Sequence, residues 1–153
     1  MSKLIVLIIG ASLIFLPLLS VSCTRAENSM ITEKVSSQLL TQINLRKAQI
    51  ATPTSDRLRT MKDMGMNADN LQIQRIFIHL TKELNQSQIE ELKTMGITLY
   101  LDSWLPPVGT HPTGFILADM PIDKLAELTR KDYVVRLETA EQLLEPQNSA
   151  QPQ

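Results

Sequence analysis

The second half of the chain contains an ordered series of short apolar patterns, and their order restricts the possible folds to a few. Residues 73–80 are rich in branched and aromatic side chains, which is typical of a buried β-strand. The next pattern begins at Asn85, a good helix N-cap residue, and Gln88 three positions later can complete a capping box. We therefore expect a strand followed closely by a helix that ends at Gly96.

The patterns that follow add two strands, a second helix and a last strand. Residues 97–102 alternate between apolar and polar side chains, which predicts a half-buried strand. A loop is expected over 105–114, because this segment holds three prolines and two glycines. The other expected elements are a strand over 115–120, a short helix after Pro121 and a strand over 133–138.

This order predicts an α+β fold of the βαββαβ type, the ferredoxin-like sandwich, in which two helices cover one face of a sheet and the other face is open. Alternation along each strand then assigns its residues to one face or the other. The residues expected to face the helices are Ile76, Ile78, Leu99, Leu101, Val135 and Leu137. Those expected on the open face are Phe77, His79, Tyr100, Phe115, Leu117, Val134 and Arg136. An apolar, partly aromatic open face would be a docking surface.

A helical arm or linker is expected over 23–70, ahead of the α+β domain at 71–140. Apolar residues recur there every four positions from Ile31 to Ile43, which predicts an amphipathic helix that fades before Pro53. A second, short helix is expected from Ser55 to Gly65. One alternative is that these upstream helices fold back over the open sheet face.

Residues 75–138 resemble the propeptide-like inhibitor domains of subtilisin-type serine proteases. The matching stretches are 75–80 (RIFIHL), 84–92 (LNQSQIEEL) with the following Gly96 and Ile97, 121–128 (PIDKLAEL) and 134–138 (VVRLE). The resemblance implies that the open sheet face packs on the protease and that the tail after the last strand lies along the substrate cleft like a product. It thus implies a protein that is not an enzyme and that inhibits a protease, or assists its folding, in trans.

Two segments of the tail matter to this interpretation. Residues 139–145, with Leu143 and Leu144, are the expected cleft-binding stretch, and the polar tail as a whole covers 141–153. A solvated terminus is the alternative for this tail. A different class of function uses the same sheet: a structural or adaptor envelope protein that binds a protein partner without inhibiting a protease.

The first 22 residues are interpreted as a signal peptide. Lys3 precedes an uncharged apolar run over 4–21, which is the layout of a secretory signal. Cys23, the only cysteine, follows this run and resembles the lipid-modified cysteine of the bacterial lipobox, although Ser20 stands where that motif usually has a large aliphatic residue. We expect an exported cell-envelope protein that is lipid-anchored to a membrane through Cys23. The alternatives are cleavage without a lipid, which gives a secreted soluble protein, and a retained membrane anchor.

Composition argues against several other classes of function. Fifteen Lys and Arg against sixteen Asp and Glu provide no positive field for a nucleic-acid backbone. Two histidines and one cysteine are too few for a zinc site or a disulfide framework, and no nucleophile elbow is present, so neither a cofactor nor catalysis is expected. Met61, Met64 and Met66 form a cluster whose thioethers suit copper(I), but packing in irregular gaps is the preferred interpretation.

Overall fold

The computed structural model describes residues 33–141, so the predicted signal peptide, Cys23, Leu143 and Leu144 lie outside the described residues. The described helices are α1 (Ser37–Ala51), α2 (Ser55–Asp63), α3 (Gln86–Thr94) and α4 (Leu125–Thr129), the last preceded by a 3-10 turn at Ile122–Lys124. The described strands are β1 (Ile73–Leu80), β2 (Thr98–Leu105), β3 (Gly114–Pro121) and β4 (Val134–Thr139). The predicted α+β class is therefore confirmed.

The four strands form one antiparallel sheet in the order β2-β3-β1-β4. The centre of the sheet is the β1–β3 pair, which keeps one register from Ile73 opposite Pro121 to Leu80 opposite Gly114. β4 lies beside β1 at one edge, and β2 lies beside β3 at the other. At the β4 edge, Val35 forms a parallel bridge with Leu137 just before α1 begins.

Helix ends agree with the predicted signals. The side chain of Asn85 accepts a hydrogen bond from the Gln88 N–H, and the Gln88 side chain accepts one from the Asn85 N–H, so the capping box is confirmed. Gly65 and Gly96 follow α2 and α3 with φ of 69° and 81°, a left-handed conformation that favours glycine. These local signals set the lengths of α2 and α3 as expected.

One face of the sheet carries the core. Alternate residues of β1 and β3 point to it, and Leu92 of α3 and Leu128 of α4 pack against them. Leu39 and Ile43 of α1 belong to the same buried cluster, so α1 lies on the helix-bearing face. For α1, the alternative of a helix folded back over the open face is wrong. The expected arm thus contributes to the core of the sheet domain. Met61 of α2 and Met66, which follows α2, are also buried.

Three of the facing assignments are wrong, and each error comes from an irregular register. Leu80 pairs with Val134 while His79 pairs with Arg136, so Val135 is the extra residue of a β-bulge and is exposed, and Val134 turns into the core. Leu101 is exposed because β2 leaves its register with β3 after Tyr100 and meets it again only at Leu105. Strict alternation fails wherever one strand contains an additional residue.

Candidate protein-binding face

The open face of the sheet carries an aromatic cluster made by β1 and β3. The rings of Phe77 and Phe115 meet edge to face with centroids 5.0 Å apart, and the His79 ring lies 5.6 Å from Phe115. The cluster exists because His79 and Phe115 are directly opposite in the β1–β3 register, with Phe77 and Leu117 opposite each other two positions away. These four side chains are half-buried and lie outside the core cluster.

An ionic row borders the aromatic cluster on β4. Nε2 of His79 lies 3.1 Å from Oε2 of Glu138, and the guanidinium of Arg136 lies 2.9 Å from the other carboxylate oxygen. Glu138 is opposite Phe77 and Arg136 is opposite His79, so the row lies directly beside the rings. The face therefore offers an aromatic centre with charged neighbours, which is the usual composition of a protein-binding surface.

A second polar group lies nearer the other end of the same face. Arg75 donates to both carboxylate oxygens of Asp119, at 2.8 and 3.1 Å, and the Tyr100 hydroxyl donates to Asp119 at 2.7 Å. The hydrogen bond from Arg75 lowers the pKa of Asp119, and the hydrogen bond to Asp119 raises the pKa of Tyr100. Arg75 also stacks over the Tyr100 ring at 5.5 Å. Tyr100 is 37% exposed, so its ring is available at the surface beside the Arg75–Asp119 pair.

A groove of about 650 Å³ opens between the aromatic cluster and the β2–β3 loop. His79 and Phe115 of the aromatic cluster line it, together with the apolar side chains of Leu105, Val108 and Val135. Gly114 makes the close approach of the loop possible, since a Cβ there would lie 2.2 Å from the Leu105 carbonyl oxygen. The groove thus depends on the tight junction between β2 and β3.

Six of the eight residues expected to bind a partner lie on this one face. They are Phe77, His79, Tyr100, Phe115, Leu117 and Arg136. The other two, Leu143 and Leu144, lie outside the described residues. The expected set therefore forms one continuous surface as far as the structure describes it.

The sequence interpretation missed a buried polar network at the end of the sheet where β1 begins. Arg46 of α1 is fully buried, and its Nη2 lies 2.6 and 2.8 Å from the two carboxylate oxygens of Glu141. Its Nε donates to the Gln74 side chain at 2.8 Å, and its Nη1 donates to the carbonyls of Asn67 and Asn70. The available signal was spacing, because Arg46 continues the buried stripe of Leu39 and Ile43 on α1.

This network also fixes the segment that follows β4. The Thr139 hydroxyl donates to the side chain of Gln42, which also accepts a hydrogen bond from Gln74, while Glu141 pairs with Arg46. Thr139 and Glu141 belong to the expected cleft-binding stretch 139–145, but their side chains make hydrogen bonds within the domain. A tail that reaches a protease cleft has to begin after Glu141.

Residues 33–141 contain no group of three or more His, Cys, Asp or Glu side chains placed to hold a metal ion. Within the same described range, no helix is long and apolar enough to cross a membrane.

Comparisons of the chain with protein-family models, with curated proteins and with solved structures find no match. The open face itself is therefore the basis for a functional proposal.

Proposed function

We propose that this chain is a non-enzymatic protein-binding module whose open sheet face holds a subtilisin-type serine protease, which it inhibits or assists in folding in trans. The observation that carries the proposal is the aromatic cluster of Phe77, Phe115 and His79 on the face opposite the packed helices α1, α3 and α4. Aromatic side chains are enriched in the cores of protein–protein interfaces, where a few central residues supply most of the binding energy.

The fold arrangement supports the same proposal. The strand order β2-β3-β1-β4, with α3 between β1 and β2 and α4 between β3 and β4, is the arrangement expected of a ferredoxin-like βαββαβ unit. That is the fold which the resemblance to propeptide-like inhibitor domains implies. We further propose that the protein is exported and anchored to an envelope membrane through a lipid on Cys23, at the end of the apolar run 4–21.

One observation favours a second candidate function, that of an adaptor which binds its partner without inhibiting it. The Arg46–Glu141 pair holds the chain up to Glu141 in the domain, so only residues beyond it are available for a cleft. An adaptor needs the open face alone. An inhibitor needs both the face and the tail after Glu141.

The deciding experiment measures inhibition and binding in parallel, with the processed full-length chain in detergent and a panel of subtilisin-type proteases. Phe77→Ala is expected to weaken binding by about 30-fold, equivalent to about 2 kcal/mol. Ile50→Ala is the matched control, because Ile50 is an exposed apolar residue on α1, away from the open face. Its affinity should equal that of the unmodified chain.

Removal of residues 142–153 separates the two candidate functions. For an inhibitor, the shortened chain should still bind the protease through the sheet but no longer block substrate cleavage. For an adaptor, the shortened chain should bind its partner with unchanged affinity. If every protease of the panel digests the intact chain as an ordinary substrate, the inhibitor proposal is wrong.

A further inference from the structure

The β2–β3 loop has an apolar rim that is unusual for a surface loop. The rim consists of Leu105 and Val108, which are 53% and 70% exposed, with Val135 of the β4 bulge beside them at 40%. The nine residues of 105–113 include no Asp, Glu, Lys or Arg. Exposed apolar side chains grouped on an uncharged loop indicate a contact with another apolar phase.

The loop backbone also has few polar donors to satisfy. Pro106, Pro107 and Pro112 have no N–H group, and the His111 N–H donates to the Val108 carbonyl at 3.1 Å. Each unsatisfied backbone donor adds a free-energy cost when a loop leaves water. The free-energy cost of moving this segment from water into an apolar environment is therefore lower than the cost for an ordinary polar loop.

The chain enters the domain at the same end of the sheet as this rim. Val35 pairs in parallel with Leu137, and the Ser36 N–H donates to the Leu137 carbonyl at 3.0 Å. Because the pair is parallel, Lys34 lies toward the start of β4, and its Nζ donates to the Lys131 carbonyl in the turn before β4. The β1–β3 and β1–β4 registers place Gly114 and Val134 at this end, opposite Leu80.

The length of the preceding chain brings a membrane within reach of the rim. Cys23 is ten residues from Glu33, and ten extended residues span at most about 35 Å. A lipid on Cys23 would hold the rim near the bilayer surface and raise its effective concentration there. Three apolar side chains that bind weakly on their own would then contact the bilayer far more often than in an unanchored protein.

We infer that the rim of Leu105, Val108 and Val135 inserts into the interface of a phospholipid bilayer, so that the anchored domain has one fixed orientation on the membrane. This inference rests on the lipid anchor of the proposed function. His79 and Phe115 share the groove with the rim and would lie beside the bilayer surface. Phe77 and Tyr100 lie farther along the sheet, so a partner would reach the open face from their side.

The test uses the full chain, reconstituted through its lipid in phosphatidylcholine vesicles that contain doxyl-labelled phosphatidylcholine as a quencher. An NBD fluorophore is attached to Thr110→Cys in the loop. The control is Asp69→Cys in the loop before β1, at the opposite end of the sheet. The lipid attached to the sulfur of Cys23 blocks that thiol, so each variant carries one free thiol.

The expected result is a blue shift and loss of most NBD fluorescence at position 110, with no change at position 69. Adding Val108→Asp to the Thr110→Cys variant should abolish the quenching, which separates insertion by the loop from insertion by the label. Flotation of the protein with the vesicles shows that the anchor holds. If the protein floats, equal quenching at both positions, or no quenching at position 110, overturns the inference and leaves the anchor intact. If the protein does not float, the anchor and the inference both fail, and the protease assay still stands as a separate test.

Discussion

Nη2 of Arg46 lies 2.6 and 2.8 Å from the two carboxylate oxygens of Glu141, although 95 positions separate the two residues in the sequence. The side chains are 0% and 7% exposed, so the pair is isolated from water. The pair joins α1 to the segment that follows β4, at the end of the sheet where β1 begins. A buried charge that loses its counter-charge is costly, whereas the intact pair contributes little net stability.

Glu141→Gln is therefore expected to lower the free energy of unfolding by about 3–5 kcal/mol, since it leaves the Arg46 guanidinium buried without a counter-charge. Urea denaturation measures this change. The matched control is Asp56→Asn, which removes the partner of Arg59 in a pair whose side chains are 86% and 74% exposed. That change should cost less than about 1 kcal/mol. Similar small losses for both variants would contradict a structural role for the buried pair.

Gly114→Ala should destabilise the junction between β2 and β3. The added Cβ would lie 2.2 Å from the Leu105 carbonyl oxygen and 2.6 Å from the Trp104 ring, so the backbone has to move. We expect a loss of about 1–3 kcal/mol in urea denaturation. The emission of Trp104, the only tryptophan, should also change.

The control for this variant is Gly109→Asn in the same loop. Gly109 has a φ of 62°, no neighbouring atom lies within 4 Å of the point that a Cβ would occupy, and asparagine tolerates this conformation. Its stability and Trp104 emission should remain close to those of the unmodified chain. A Gly114→Ala variant with unchanged emission would show that the loop does not depend on this contact.

Asp119 should make a pH-dependent contribution to stability. Its pKa is lowered in the folded state by the hydrogen bond from Arg75, so the folded protein binds this proton less readily than the unfolded chain. The contribution is complete above the unfolded pKa of about 4 and is lost as the pH falls through the folded pKa. Half-exposed Arg75 is screened by solvent, so the effect is modest.

Asp119→Asn tests this contribution. The variant should be less stable than the unmodified chain at neutral pH, and the difference should shrink as the pH is lowered below about 4. Urea midpoints measured across this range provide the comparison. A stability difference that is the same at every pH would exclude the Arg75–Asp119 ion pair as its cause.

Asn85→Ala should cost about 1 kcal/mol, because it removes the side-chain acceptor for the Gln88 N–H at the start of α3. Thermal or urea unfolding measures the loss. Ser87→Ala is the control within the same turn, since Ser87 is exposed, and a change of less than about 0.5 kcal/mol is expected there. Equal losses would contradict the capping role.

Local sequence signals predicted much of this structure. The bounds of β1, the capping box at Asn85 and the helix ends at Gly65 and Gly96 all follow from interactions within a few residues. Such signals do not depend on the rest of the chain. They also placed Phe77 and Phe115 on the same face, because the β1–β3 pair keeps a regular register.

The errors arose where distant segments decide the outcome. Val134 and Val135 exchange their expected faces because β4 bulges against β1, and a one-residue shift reverses every assignment beyond it. The ion pair of Arg46 was missed because its counter-charge lies 95 positions away. Composition cannot reveal such a pairing, and only the packing of α1 on the sheet brings the two charges together.

The parallel contact between Val35 and Leu137 gives the domain a mechanical direction. The chain enters at the end of the sheet where β4 begins and leaves beyond Thr139 at the other end. If the proposed lipid anchor holds the N-terminal segment and the proposed partner holds the C-terminal tail, a pull between them would run along β4. The β1–β4 hydrogen bonds would then be loaded together in shear rather than opened one at a time, and the domain would resist extraction under tension.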